Sequence, residues 1–387
     1  MTPYRNYRPA IGAFLQMMAM ALTTTGLSFF IGPVCEELGF GRGSFTVYYS
    51  IMTAAGTLAS PFLGQVIQRR GVRFVAMISA FWSSTGLLLF SFGQSLWMFY
   101  LAGAVTGLFG TACVNICASI TVQTCYQGSS SSGLTGLVMA GSGVGGMIIS
   151  FVLPGLIEDL GWRWGYRVMA VSWLMLSLCA VWFLRGSGQA TAAGKRKQQG
   201  MTLAESLRSS RLYLLILVIF LLSAASGIQQ QLPSVLAELE PNAARVSLAM
   251  SVFTAALALG KILQGMLYGM AGPKIGGAVV VGLYASGFLL LNWGYVMPGL
   301  MTLAVGMGTV TTLMPIATRV VFGSLEYASI WSVLLMFSNL GALLAAPLFG
   351  MAFDMTGSYR EAMTVAAVLL IPAFGALVGA LHTDRQT

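Results

Sequence analysis

One residue stands out where chemistry is expected. Lys261 lies inside the apolar run 245–270, about sixteen residues from one end and about ten, or 15 Å of helix, from the other. All eleven acidic residues sit in loops or at the ends of apolar runs, so no carboxylate is available at comparable depth. An ammonium at the centre of a bilayer costs about 2.5–3.5 kcal/mol, and a lysine stem is too short to carry it comfortably to the nearer edge. Lys261 is therefore expected to face a protein interior or cavity and to attract an anionic solute in a poorly solvated site. A compact dicarboxylate calls for two cations; a single lysine suits a monocarboxylate. The mid-span polar residues Asn115, Gln229, Gln230, Thr24, Trp331 and Asn339 are candidates to line the same cavity, their amide and hydroxyl groups completing the hydrogen bonds of a carboxylate and Trp331, with Met side chains, supplying an apolar wall. Each could equally use its polar group in helix-to-helix hydrogen bonding. Tyr48 and Tyr49 read as residues of the outer half of the second span or of the interface belt.

The elements that must position these residues follow from composition. Of 387 residues 57% are hydrophobic and 8% charged, and mean hydropathy is +0.81. Soluble domains run near a quarter charged, so this chain cannot clothe a water-facing surface. In lipid the backbone must close its hydrogen bonds within helices or closed barrels. The apolar runs are about twenty residues long and do not alternate, which predicts transmembrane helices. They fall near 10–33, 44–68, 74–93, 95–124, 132–157, 166–185, 212–238, 245–270, 275–296, 298–322, 328–353 and 359–381. The expected fold is all-α integral membrane, with twelve transmembrane helices in two six-helix bundles.

Net charge is +9. With the N-terminus inside, 14 basic residues fall on the inner side and 5 on the outer, while eight of the eleven acids fall outside. Basic residues collect on the cytoplasmic side of membrane proteins, so both termini are expected there and the charge is a topology signal, with no place for nucleic acid. Arg5 and Arg8 precede a first apolar stretch too long for a signal core, which reads as a retained span. The longest hydrophilic stretch divides the chain into an N-terminal bundle (1–185), a cytoplasmic linker (186–211) and a C-terminal bundle (212–387), with a short interfacial helix expected within 201–210. The five cysteines read as small apolar residues, and six glycines between 133 and 146 read as sites of close helix packing or sliding.

Several segments resemble the major facilitator superfamily, and within it the oxalate/formate antiporter and monocarboxylate transporter group. The first is Gly32-Pro33-Val34-Cys35-Glu36-Glu37-Leu38-Gly39-Phe40-Gly41-Arg42; a second is Ala140-Gly141-Ser142-Gly143-Val144-Gly145-Gly146, followed by Pro154 and Gly161-Trp162-Arg163. Gly350 to Asp354 and Thr356-Gly357-Ser358-Tyr359 form the third. Gln68-Arg69-Arg70-Gly71-Val72-Arg73 occupies the loop where the superfamily carries Asp, Arg and Gly, but the aspartate is replaced, and the segment from Gly260 to Gly272 lacks it as well. The resemblance implies two six-helix halves and a substrate carboxylate bound by a basic residue of the eighth helix, the position Lys261 matches with Lys in place of the more usual Arg. The group's eleventh-helix lysine has no match here, and the aspartate that can precede the basic residue by one turn is Leu257.

These readings point to a secondary carrier of small organic monocarboxylates, lactate- or pyruvate-like, working by alternating access in a cell membrane, proton-coupled or exchanging, as a monomer and without a cofactor. Proton coupling would run through Lys261 itself, its ammonium trading a proton as the anion comes and goes. The sequence holds no Gly-x-x-x-x-Gly-Lys-Ser/Thr loop, which argues against direct ATP drive. The alternatives are an exchanger or exporter of a larger organic or aromatic acid and a transport-inactive membrane sensor. An efflux pump for cations is disfavoured because no acid lies within the membrane. A membrane enzyme is disfavoured because the sole histidine, His382, lies at the C-terminal edge.

Overall fold

The computed structural model describes residues 7–126, 129–184, 200–230, 232–239, 243–356 and 358–381. The expected linker lies outside the described residues as far as 199, as do His382 and the side chains of Gln230 and Asp354.

Long apolar runs become helices, and the exceptions mark glycines. The first crossing is α1 (Arg8–Thr24), a 3-10 turn (Gly26–Phe30) and α2 (Ile31–Leu38). Helices α3 (Arg42–Arg70) and α4 (Val72–Phe90) turn at Gly71, whose φ of 83° suits a residue without Cβ. The fourth crossing is α5 (Leu96–Phe109) and α6 (Thr111–Cys125), broken at Gly110; α7 (Ser129–Leu160) and α8 (Trp162–Phe183) complete the set. After the short α9 (Leu203–Ser206) the plan repeats about 200 residues on. Helix α10 (Ser210–Ser226), a 3-10 turn (Gly227–Gln230) and α11 (Leu232–Leu239) mirror the first crossing. Helix α12 (Ala243–Asn292) contains the counterpart of Gly71, Gly272 at φ 79°, followed by Pro273. Helices α13 (Val296–Met307) and α14 (Thr309–Phe322) meet at Gly308 as α5 and α6 meet at Gly110, and α15 (Tyr327–Thr356) and α16 (Arg360–Ala380) close the chain.

Among the described residues eleven segments are long and apolar enough to cross a membrane. One, Leu248–Asn292, has 45 residues, about 68 Å of helix and twice the hydrocarbon thickness. Its break at Gly272 makes it two crossings, twelve in all among the described residues. The sequence reading separated these two correctly but carried the second to 296, where the structure has already turned at Gly294.

The chain forms two compact units, Met1–Tyr126 with Val138–Lys197, and Gln127–Leu137 with Gln198–Thr387. The first turns of α7 therefore belong with the second unit. In the first unit α3 packs on α5, α4 on α5 and α8, and α1 on α6 and α8. Its core is aromatic at one end: Tyr166 stacks on Phe30 (3.8 Å between centroids) and Phe90 (5.2 Å), and Phe45, Tyr48, Phe99 and Trp162 join the cluster edge-on or tilted. Such pairs contribute about 0.5–1.5 kcal/mol each beyond their buried area. Tyr48 is buried there, its hydroxyl donating to the Leu27 carbonyl at 3.3 Å, so it is a core residue and not part of an interface belt. The apolar reading of the cysteines holds for Cys35, Cys113 and Cys117, which are buried, whereas Cys179 is exposed.

In the second unit α10 packs on α15 and α16, and α12 on α13, α14 and α16. The short helix expected within the linker is α9. Its N-terminus is closed by a capping box in which the Thr202 hydroxyl accepts from the Glu205 amide and the Glu205 carboxylate accepts from Thr202 N. Glu326 adds an acceptor for Leu203 N at 2.7 Å, and Met201 N donates to the Phe322 carbonyl, so α9 is tied to the loop after α14. Large apolar side chains face outward across both units, Phe151 at 90% exposure among them, as a bilayer-facing surface requires.

Candidate functional site

Lys261 stands on α12, eleven residues before the break at Gly272. It is 7% exposed and is the only Lys, Arg, Asp or Glu that is buried among the described residues. A charge is held in such a place only where packing and polar neighbours compensate the lost water. Two glycines make room for this packing. A Cβ on Gly308, at the joint of α13 and α14, would stand 3.1 Å from Lys261 Cγ. A Cβ on Gly136 of α7 would run into the Lys261 carbonyl oxygen and lie 3.0 Å from Gly265 Cα. Within the second unit, then, α7, α12 and the α13–α14 joint converge on one lysine.

The polar surroundings of Lys261 lie one to two turns along the same face. Gln264, at i+3, is 1% exposed; its Nε2 donates to the Val305 carbonyl near the end of α13, while Oε1 has no hydrogen-bond partner among the described residues. The hydroxyl of buried Tyr268, at i+7, lies against Thr309 of α14; further along α14, Thr312 is fully buried with its hydroxyl unpartnered among the described residues. Sequence reasoning missed these residues. The spacing 261, 264, 268 was a signal for Gln264 and Tyr268, since it puts three polar groups on one helical face. Thr309 and Thr312 gave none, because their relation to α12 is tertiary.

The six other residues proposed from sequence are divided between the units. In the first, Asn115 on α6 is 7% exposed and accepts from the Ser119 hydroxyl at 3.5 Å, and Thr24 ends α1 with its hydroxyl donating to the Met20 carbonyl at 3.1 Å. In the second, Trp331 on α15 is fully buried and its indole N–H has no acceptor among the described residues. Asn339, two turns further along α15, is half-buried; it adjoins Ser338, which hydrogen-bonds Ser223 of α10 at 2.7 Å. Gln229 is exposed in the 3-10 turn between α10 and α11. The hydrogen bonds of Thr24 and Asn115 are local to their own helices, whereas the buried indole of Trp331 is unanswered among the described residues.

A separate apolar cleft of about 320 Å³ lies between α10, α15 and α16, walled by Ala225, Ala345, Leu348, Ala366 and Leu369, with Glu361 at its edge. Leu348 is 61% exposed, so the cleft opens toward the bilayer side of the unit. None of the residues lining it is on α12.

Comparison with known proteins places this architecture. The sequence is similar to the Multidrug resistance protein MdtG of Klebsiella pneumoniae (strain 342), 24% identical with 97% of this chain and 92% of that protein covered. It is as similar to the protein of that name from Citrobacter koseri, at 24% with 97% and 95% covered. Among solved structures the fold resembles the proton:xylose symporter XylE (TM-score 0.75, 12% identity, 97% and 95% covered) and the human organic anion transporter MFSD10 (0.71, 15%, 97% and 100%). The profile of the Major Facilitator Superfamily matches residues 10–321. With twelve crossings in a repeated pattern and a buried cation beside a helix joint, the chain is a multi-pass membrane protein and a secondary transporter, and it belongs to the Major Facilitator Superfamily.

Proposed function

We propose that the chain carries small organic monocarboxylates, lactate- or pyruvate-like, across a cell membrane by alternating access, with Lys261 binding the carboxylate. The observation that carries the proposal is the burial of Lys261, the only Lys, Arg, Asp or Glu so placed among the described residues. A buried ammonium attracts an anion strongly, and an anion that compensates it favours occupancy. Trp331 would supply apolar wall and an indole donor; Asn115, Gln229, Gln230, Thr24 and Asn339 complete the proposed lining. The proposed moving bodies are the bundles 1–185 and 212–387 joined by 186–211, with both termini cytoplasmic, in keeping with the Lys and Arg distribution. Transport is proton-coupled or exchanging, and the working unit is the monomer.

A second reading is export of a larger amphipathic or aromatic acid: the relatives' name, multidrug resistance protein, suits export, and the acid is suggested by Lys261 alone. Both readings keep Lys261 as the anion-binding group.

The test is a thermal-shift panel on purified protein with lactate, pyruvate, benzoate and a lipophilic cation, followed by flux of the labelled hits in proteoliposomes. A ligand at a hundred times its Kd adds about 2.7 kcal/mol to apparent stability. Stabilisation and flux by lactate or pyruvate support the first reading. Stabilisation and flux by benzoate alone support the second. Stabilisation by the cation alone refutes both, and stabilisation without flux identifies a sensor.

A further inference from the structure

We propose that the cleft between α10, α15 and α16 is a binding site for one acyl chain of a phospholipid whose headgroup carries an ammonium, with Glu361 answering that ammonium. None of the residues lining it is on α12, so the proposal does not depend on which solute is carried.

The cleft is built by the spacing of small residues. On α15, Ala345, Leu348, Phe349 and Ala352 stand at i, i+3, i+4 and i+7, which is one helical face. On α16, Ala362, Val365, Ala366 and Leu369 repeat that spacing. With Ala224 and Ala225 of α10, six of the thirteen wall residues are alanine, and the side-chain volume they lack leaves the space of about 320 Å³. Ala225 is buried at the floor, whereas Leu348 and Val365, 61% and 58% exposed, stand at the mouth.

What fills this space follows from what its walls can hold. A buried water needs about two to four polar partners. The walls offer only Thr356 and Glu361, and the Thr356 hydroxyl already donates to the Ala352 carbonyl at 2.8 Å. An organic monocarboxylate is repelled by Glu361. The mouth faces the bilayer, which supplies acyl chains. Residues 361 to 369 cover about 12 Å of helix, close to the depth of one leaflet of the hydrocarbon core, about 15 Å. Helix α16 has 21 residues, about one hydrocarbon thickness, so Glu361 in its first turn stands at the headgroup boundary. There its carboxylate is exposed and in no salt bridge among the described residues. Arg360, exposed beside it, suits the phosphate that every phospholipid carries, so the ammonium is the distinguishing group. Moving from lipid to cleft brings the chain no hydrophobic gain. It is held by contact with walls that otherwise line a void, and the headgroup supplies the selectivity.

The experiment is photolabelling of the purified full-length protein in mixed micelles, with phosphatidylethanolamine carrying a diazirine on one acyl chain. Unlabelled phosphatidylethanolamine or phosphatidylglycerol of the same chains competes, and labelled peptides are located by mass spectrometry. In the wild-type protein label should concentrate on 345–352 and 362–369. Phosphatidylethanolamine should compete about two- to fivefold better than phosphatidylglycerol, the range of an exposed charge pair. Glu361→Gln should erase that preference and keep the label in place, and Ala352→Leu, which fills the cleft, should remove the label there. Label spread evenly over the bilayer-facing helices of both units overturns the proposal, as does equal competition by the two lipids; both are read on wild-type protein and need no variant to fold. A preference that survives Glu361→Gln overturns it, and so does labelling unmoved by folded Ala352→Leu. No label at the cleft overturns it as well, and cross-links between copies of the chain would then identify this face as a subunit contact.

Discussion

Replacing Gly265 by alanine tests whether the close approach of α7 to α12 is what holds the Lys261 segment in place. A Cβ built on Gly265 would lie 2.5 Å from the Ser132 carbonyl oxygen and 2.9 Å from both Cα and N of Gly136. Those atoms are backbone and cannot rotate away, and ordinary contact begins at 3.4 Å. The first turns of α7 must therefore retreat by about 1 Å, which also opens the neighbouring packing of Gly136 on the Lys261 carbonyl. Overpacking of this kind costs about 1–3 kcal/mol. Gly282 is the internal control. It lies further along α12 with nothing within 4 Å of its Cβ, so Gly282→Ala removes only glycine's backbone freedom and should be neutral or stabilising by up to about 1 kcal/mol. The assay is reversible unfolding in mixed micelles, with carboxylate affinity measured on the folded fraction of each variant. Gly265→Ala should lower stability and weaken the anion, and Gly282→Ala should do neither. If Gly265→Ala unfolds like the wild type and binds as tightly, the two backbones are not in the contact described and the account of how Lys261 is positioned fails.

Three further outcomes follow from single side chains. Trp331→Phe removes an indole donor that has no acceptor, so unfolding should change by less than about 1 kcal/mol while anion affinity falls; Trp331→Ala should cost about 3–5 kcal/mol of stability through the cavity it leaves. Lys261→Arg keeps a fixed positive charge, so anion exchange should persist while any proton movement coupled to it is lost, as read by a pH dye inside proteoliposomes. The Glu205 carboxyl is held below its ordinary value chiefly by the Thr202 backbone N–H. Because the folded value is the lower one, the stabilisation is present above the ordinary glutamate pKa of about 4.3 and is lost as pH falls through the lowered value. Amide exchange at Thr202 should accelerate only below that window, and Glu205→Gln should remove the pH dependence.

Much of the fold was legible because lipid leaves the backbone few choices. Scarce charge and runs of about twenty apolar residues dictate helices, and the division of α12 into two crossings was readable from the polar Gly272-Pro273-Lys274. The 3-10 turns in the first and seventh crossings were not readable, since Gly26 and Gly227 look like any other helical glycine. For Tyr48 the sequence left the second span's outer half and the interface belt both open, because it shows a polar tip but not the Leu27 carbonyl that accepts from it. At the site, Lys261 announced itself by depth alone. Gln264 did not, although it shares a face with Lys261, because its meaning depends on Val305, 41 residues away on α13. Thr24 and Asn115 were singled out for polarity, and in the structure each makes one local hydrogen bond.

The most direct test of the central claim is carboxylate binding and flux by Lys261→Gln, a substitution that removes the charge and keeps a polar side chain of similar reach. The folded variant is expected to lose at least about tenfold in affinity for organic monocarboxylates and to stop moving them through proteoliposomes. Wild-type affinity and flux in that variant would contradict the assignment of Lys261 as the anion's binding group.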